Sequence, residues 1–147
     1  MPEVKRQRTV NAPPDAIWQL VSDPYHLPRW WPMTTRVEDA EGDAWTSVLR
    51  TPGGKTVRAD FTRTELQPPS RIAWRQELEE SPFERIFSSA VTAIQIEAES
   101  DTTTRVELTS TERLRGRFRL GAFMVRRAAR RRLDDALAGL ERAVDPR

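Results

Sequence analysis

Cysteine is absent and histidine occurs once, at His26. The first absence excludes disulfides, thiol catalysis, iron–sulfur clusters and thiolate zinc sites. The second excludes histidine-rich metal centres and leaves a Ser-His-Asp arrangement a single ring to use. No metal site and no cofactor is therefore expected. Lysine is nearly missing as well: Lys5 and Lys55 stand against 22 arginines, a bias that GC-rich coding accounts for. No apolar run approaches the ~18 residues that span a bilayer. Residues 1–9 are polar and charged rather than signal-like, so a cytoplasmic protein is expected. Gly53-Gly54-Lys55-Thr56 imitates the end of a phosphate-binding loop, but the earlier glycine is replaced by Leu49 and the context is a hairpin.

What is present suits one globular domain over residues 1–147, with 37% hydrophobic and 31% charged residues. A chain of this size buries roughly 68–70% of its unfolded surface, enough for a core without metals or crosslinks. The net charge of +2 hides an asymmetry. Residues 1–112 carry 13 basic and 18 acidic side chains, and residues 113–147 carry 11 and 4. Nine arginines, Arg113, Arg115, Arg117, Arg119, Arg126, Arg127, Arg130, Arg131 and Arg132, fall within residues 113–132 with no acid among them.

Hydrophobic periodicity sets the element order. Val4 to Asn11 alternates as a strand, and Asn11-Ala12-Pro13-Pro14-Asp15 stops it and starts a helix carrying Ile17, Leu20 and Val21 on one face. Pro24 ends that helix, and a second short turn follows over Tyr25 to Trp31. Period-two runs then cover 34–40, 44–51, 55–66, 71–80, 87–98 and 104–113, parted by Gly, Pro and Ser breaks. From near Arg119 to Val144 the spacing becomes three, four and five, which predicts a helix of about 25 residues, roughly 37 Å long. The sum is an α+β chain with two short helices after the first strand, about six to seven antiparallel strands, and one long terminal helix.

This order, with the segment from Asn11 to Pro24, resembles the START-like or SRPBCC superfamily, above all its bacterial polyketide cyclase/dehydrase branch. Leu27-Pro28-Arg29-Trp30-Trp31-Pro32 is similar to that branch's tryptophan-bearing second helix. Pro68-Pro69-Ser70-Arg71-Ile72-Ala73-Trp74 resembles its lead into a central strand, and Thr103-Thr104-Arg105-Val106-Glu107-Leu108 its last strand. The resemblance implies a helix-grip fold, in which a curved sheet wraps the terminal helix around an internal cavity for an apolar molecule. It carries over no catalytic motif, because fold does not fix function.

On that fold the expected ligand-contacting residues are Trp30 and Trp31 at one end, and Phe61, Arg63, Trp74, Gln76, Leu78, Thr92, Ile94 and Ser110 on inward strand faces. Leu120, Phe123 and Met124 are expected on the terminal helix. Trp45 has ambiguous phase, since Trp45-Ser47-Leu49 and Ala44-Thr46-Val48 are equally apolar. Arg6, Arg8 and Glu112 also share faces with apolar neighbours, so an arginine there either meets a ligand oxygen or pairs with an acid. Proton-transfer candidates are Tyr25, His26, Asp60, Glu77 and Glu112, with no defined catalytic constellation. The paired acids Asp134 and Asp135 are expected to be solvated without partners.

Three functions stay open: a protein that binds or transfers a small hydrophobic lipid-like or polyketide-like molecule, a cyclase or dehydratase using the same cavity, and an interaction protein. For the third, Arg126, Arg127, Arg130 and Arg131 either pair with the acidic sheet or meet an anionic partner. Phe118 and Phe123 are the only aromatics interleaved with the cluster, so a membrane surface is favoured over nucleic acid.

Overall fold

A computed structural model describes residues 3–116 and 121–145. Strand β1 (Glu3–Val10) leads into α1 (Pro14–Ser22), a 3-10 turn (Pro24–His26) and α2 (Leu27–Trp30). Six strands follow: β2 (Thr34–Glu41), β3 (Ala44–Arg50), β4 (Thr56–Gln67), β5 (Arg71–Glu77), β6 (Phe87–Ala98) and β7 (Thr104–Leu114). The long helix α3 (Ala122–Val144) comes last. Every strand pairing is antiparallel, and the seven-stranded sheet has the order β1-β7-β6-β5-β4-β3-β2. The helices between β1 and β2 carry the chain from one edge of the sheet to the other. Register shifts at Thr34/Arg36, Glu38/Glu41, Arg63/Glu65 and Phe87/Ser89 bend the strands locally.

Leu133, Ala136, Leu137 and Leu140 of α3 are buried against Ile94, Val106 and Leu108 from the inner face of the sheet. Ile17, Leu20 and Val21 of α1 join the same core, as their spacing predicts. Glycine at 139 brings α3 against the backbone of α2.

Two expectations are corrected, and a third falls outside the described residues. The period-two run through residue 80 ends as a strand at Glu77. Ser81 N–H and Oγ–H both bond the Leu78 carbonyl, and Glu80 takes φ 61°, so a tight turn overrides the alternation. The helix is described from Ala122, and its expected start near Arg119 falls outside the described residues. Asp134 is not unpartnered: Arg6 donates to both of its oxygens, at 2.7 and 3.0 Å. That hydrogen bond and its charge push the Arg6 guanidinium further above its ordinary value. Arg8 likewise reaches Glu141 at 3.5 Å, so both inward arginines of β1 are paired with α3.

Candidate functional site

Between the sheet and α3 lies a cavity of about 190 Å³, closed at one end by α2. Its apolar wall is a run of rings. Trp31 meets Trp74 edge-on at 5.5 Å, Trp74 meets Trp45 at 5.9 Å, and Trp45 stacks on Phe61 at 5.7 Å. Phe83 and Phe87 complete this wall from the turn before β6 and its first residue. Such edge-to-face and offset contacts hold the rings in place, which keeps a partly empty interior from collapsing. The indole N–H of Trp45 is buried without a hydrogen-bond partner among the described residues.

The other side of the cavity is polar. Ser110 and Glu112 project from β7, with Thr92 opposite Ser110 on β6 and Gln76 on β5. Arg132 descends from α3 between them. Its Nη2 donates to Ser110 Oγ at 3.2 Å and pairs with Glu112 Oε2 at 3.3 Å. The Glu112 side chain is only 10% exposed, so Arg132 supplies the opposing charge that makes burying a carboxylate tolerable. Arg132 Nε and Nη1 have no partner among the described residues, which leaves two guanidinium donors at the cavity wall.

Of the residues expected to contact a ligand, the structure brings Trp31, Phe61, Trp74, Gln76, Thr92 and Ser110 to this cavity. Others stand elsewhere. Trp30 is buried, with its carbonyl against α3 at Gly139, and Ile94 is closed within the core. Leu78 is buried in the turn after β5, outside the cavity. Arg63 binds Asp43 at 2.9 Å and reaches the Ser22 carbonyl, which fastens β4 to the end of α1. Phe123 and Met124 lie outside the cavity, 63% and 72% exposed, because α3 overhangs the core before Ala129, its first buried residue. Leu120 lies outside the described residues.

Among the proton-transfer candidates only Glu112 lines the cavity. His26 Nδ1 lies 3.0 Å from the Gln19 carbonyl at the end of α1, and the Tyr25 hydroxyl accepts from Ala40 N–H. Asp60 takes the Thr46 hydroxyl at 2.5 Å, and Glu77 pairs with Arg75. Phe83 and Phe87 fall outside any apolar period of the sequence, and Arg132 stands within a run of arginines. One signal was available: Arg132 falls in a helical row with Val125, Ala129, Ala136 and Gly139, small side chains that leave room for a long one. Among the described residues no helix is long and apolar enough to cross a membrane.

Residues 1–145 match the family described as "Polyketide cyclase / dehydrase and lipid transport". Among solved structures, the di-domain ARO/CYC protein BexL from the BE-7585A biosynthetic pathway is 27% identical, with a TM-score of 0.84. That match covers 99% of this chain and 47% of BexL, so the chain spans about half of that protein. The Zhui aromatase/cyclase from Streptomyces sp. R1128 is 22% identical, with a TM-score of 0.72 over 97% of this chain and 90% of that one. A START superfamily protein from Mycobacterium smegmatis is 16% identical, with a TM-score of 0.74 over 97% of each chain. The last two likenesses show the shared helix-grip fold. No curated protein matches the sequence.

Proposed function

Since the chain belongs to the polyketide cyclase/dehydrase and lipid transport family, we propose that it binds a small hydrophobic molecule of lipid or polyketide character in the cavity beneath α3. The observation that carries this reading is the pairing of an aromatic wall with one charged corner. Trp31, Trp45, Phe61 and Trp74 offer apolar surface, worth roughly 25 cal/mol per Å² withdrawn from water. Arg132 offers two unused donors to a carbonyl or carboxylate oxygen, which fixes the ligand's direction. The interior holds a compact guest, and a longer one extends past Arg132 into the outer groove that shares Pro32, Met33 and Arg132 with the cavity.

Three tryptophans at the wall make the test optical. Titration with an apolar, carbonyl-bearing aromatic probe is expected to quench tryptophan emission saturably, and native mass spectrometry is expected to show a one-to-one complex. Thr92→Phe, which fills the cavity, is expected to abolish both signals. Absent quenching, or equal quenching in the filled variant, defeats the reading.

A cyclase or dehydratase is the second reading, and the position of Glu112 beside Arg132 favours it. The Glu112 carboxylate would take a proton from the carbon between two carbonyls while Arg132 holds the resulting enolate oxygen. The enolate carbon then attacks a ketone further along the same chain, forming the ring bond, and the new alkoxide recovers the proton from Glu112. Glu112→Gln is then expected to lose ring closure of a poly-β-ketone while keeping probe quenching. Retained turnover in that variant removes Glu112 from the reaction.

A further inference from the structure

We propose that the outer face of the first half of α3, together with Met33, docks this protein on an anionic lipid surface at the mouth of its cavity. The first point is charge. Arg126, Arg127, Arg130 and Arg131 are exposed and have no acid partner among the described residues. Elsewhere Arg6, Arg8, Arg36, Arg58, Arg71, Arg75 and Arg105 are each paired with a carboxylate. Most arginines of the sheet are thus neutralised by carboxylates of the sheet or of the second half of α3, while this group of four stands unopposed.

The second point is apolar exposure at the same place. Phe123, Met124 and Met33 are 63%, 72% and 50% exposed, three of the five large hydrophobic side chains so exposed among the described residues. Met33 comes from a different element, and its backbone stands at φ 62°, a conformation unfavourable for a residue with a side chain. Arg50 N–H bonds its carbonyl at 2.8 Å and holds it there. Met33 and Met124 both line an open groove of about 880 Å³ with Pro52, Arg127 and Arg131. Asp135 is the one acid among the described residues that line it.

Four arginines alone would suit any polyanion. Long apolar side chains set among them do not suit a phosphate backbone, which offers nothing for Met33 or Met124 to enter, whereas a bilayer surface supplies anionic head groups above an apolar layer. The placement also gives an apolar ligand a route between membrane and cavity that avoids water.

Sedimentation with vesicles tests this on the full chain. Binding is expected to vesicles of equal phosphatidylcholine and phosphatidylglycerol, to fall steeply with added salt, and to be absent with phosphatidylcholine alone. Each arginine near the surface tightens partition about fivefold, so Arg127→Glu with Arg131→Glu is expected to weaken it well over tenfold. Phe123→Ser with Met124→Ser is expected to weaken the binding that survives at high salt. Quenching by a compact probe that lies wholly within the cavity, which none of these four residues lines, should be unchanged in both variants, so failure here leaves the ligand reading standing. No vesicle binding overturns the proposal. So does binding to a DNA oligonucleotide or an acidic protein that displaces vesicles and responds to the arginine changes but not to the Phe123 and Met124 changes.

Discussion

A Cβ at Gly139 would stand 2.3 Å from the carbonyl oxygen of Trp30. Helix α3 therefore crosses α2 with no room for a methyl group, although glycine within a helix costs about 1 kcal/mol relative to alanine. Gly139→Ala is expected to destabilise the protein by about 1–3 kcal/mol in spite of its better helix propensity, because backbone must move to admit it. Chemical denaturation checks this; an unchanged or raised midpoint would mean that α2 gives way freely.

The Arg132–Glu112 pair predicts non-additivity. Arg132→Met leaves a nearly buried carboxylate without its counter-charge, at an expected cost of about 1–3 kcal/mol. Glu112→Gln in the same chain removes the stranded charge, so the double variant is expected to be more stable than the two single losses added together. Additive losses in a double-mutant cycle would show that the two side chains do not interact.

How far the sequence foretold these arrangements depends on whether one face of each element alone was buried. Strand β7 was legible over residues 104–113, since its alternation is clean: Thr104, Val106, Leu108, Ser110 and Glu112 are buried and the residues between them are not. Strand β3 was not, because it buries Val48 as well as Trp45 and Ser47, and a strand covered on both sides loses its phase signal. The period of α3 was visible throughout, yet periodicity says nothing of where the sheet beneath a helix ends. Phe123 and Met124 follow the apolar rhythm and still fall beyond the core. The aromatics Phe83 and Phe87 were hidden for the opposite reason: they belong to a turn and a strand end, where no repeat marks an inward direction.

Acid sensitivity follows from Glu38 on the outer surface. The hydrogen bond from Arg36, and then the bond and charge of Arg58, hold its carboxyl below the ordinary glutamate value. A lowered folded-state value adds stability that is complete above the unfolded value of about 4.3 and disappears as pH falls through the folded-state value. Glu38→Gln is expected to flatten the acid limb of the stability–pH curve and to leave its slope near neutrality alone. An unchanged acid limb would mean that the two arginines do not hold the ionised form.

Trp31 and Trp18 form the matched pair that separates a ligand wall from a structural core. Both are partly buried tryptophans near the start of the chain, but Trp31 faces the cavity beside Trp74, whereas Trp18 packs on the core from α1. Removing the Trp31 ring takes away one side of the aromatic run, so Trp31→Ala is expected to weaken probe binding by about tenfold, or about 1.4 kcal/mol. Trp18→Ala is expected to lower thermal stability and leave the dissociation constant of the remaining folded protein unchanged. Equal weakening in both variants would mean that affinity follows overall stability rather than the ring wall, and the cavity would lose its standing as the binding site. Weakening confined to Trp31→Ala requires the guest to touch that ring, because the two substitutions remove the same side chain and differ in what it faced.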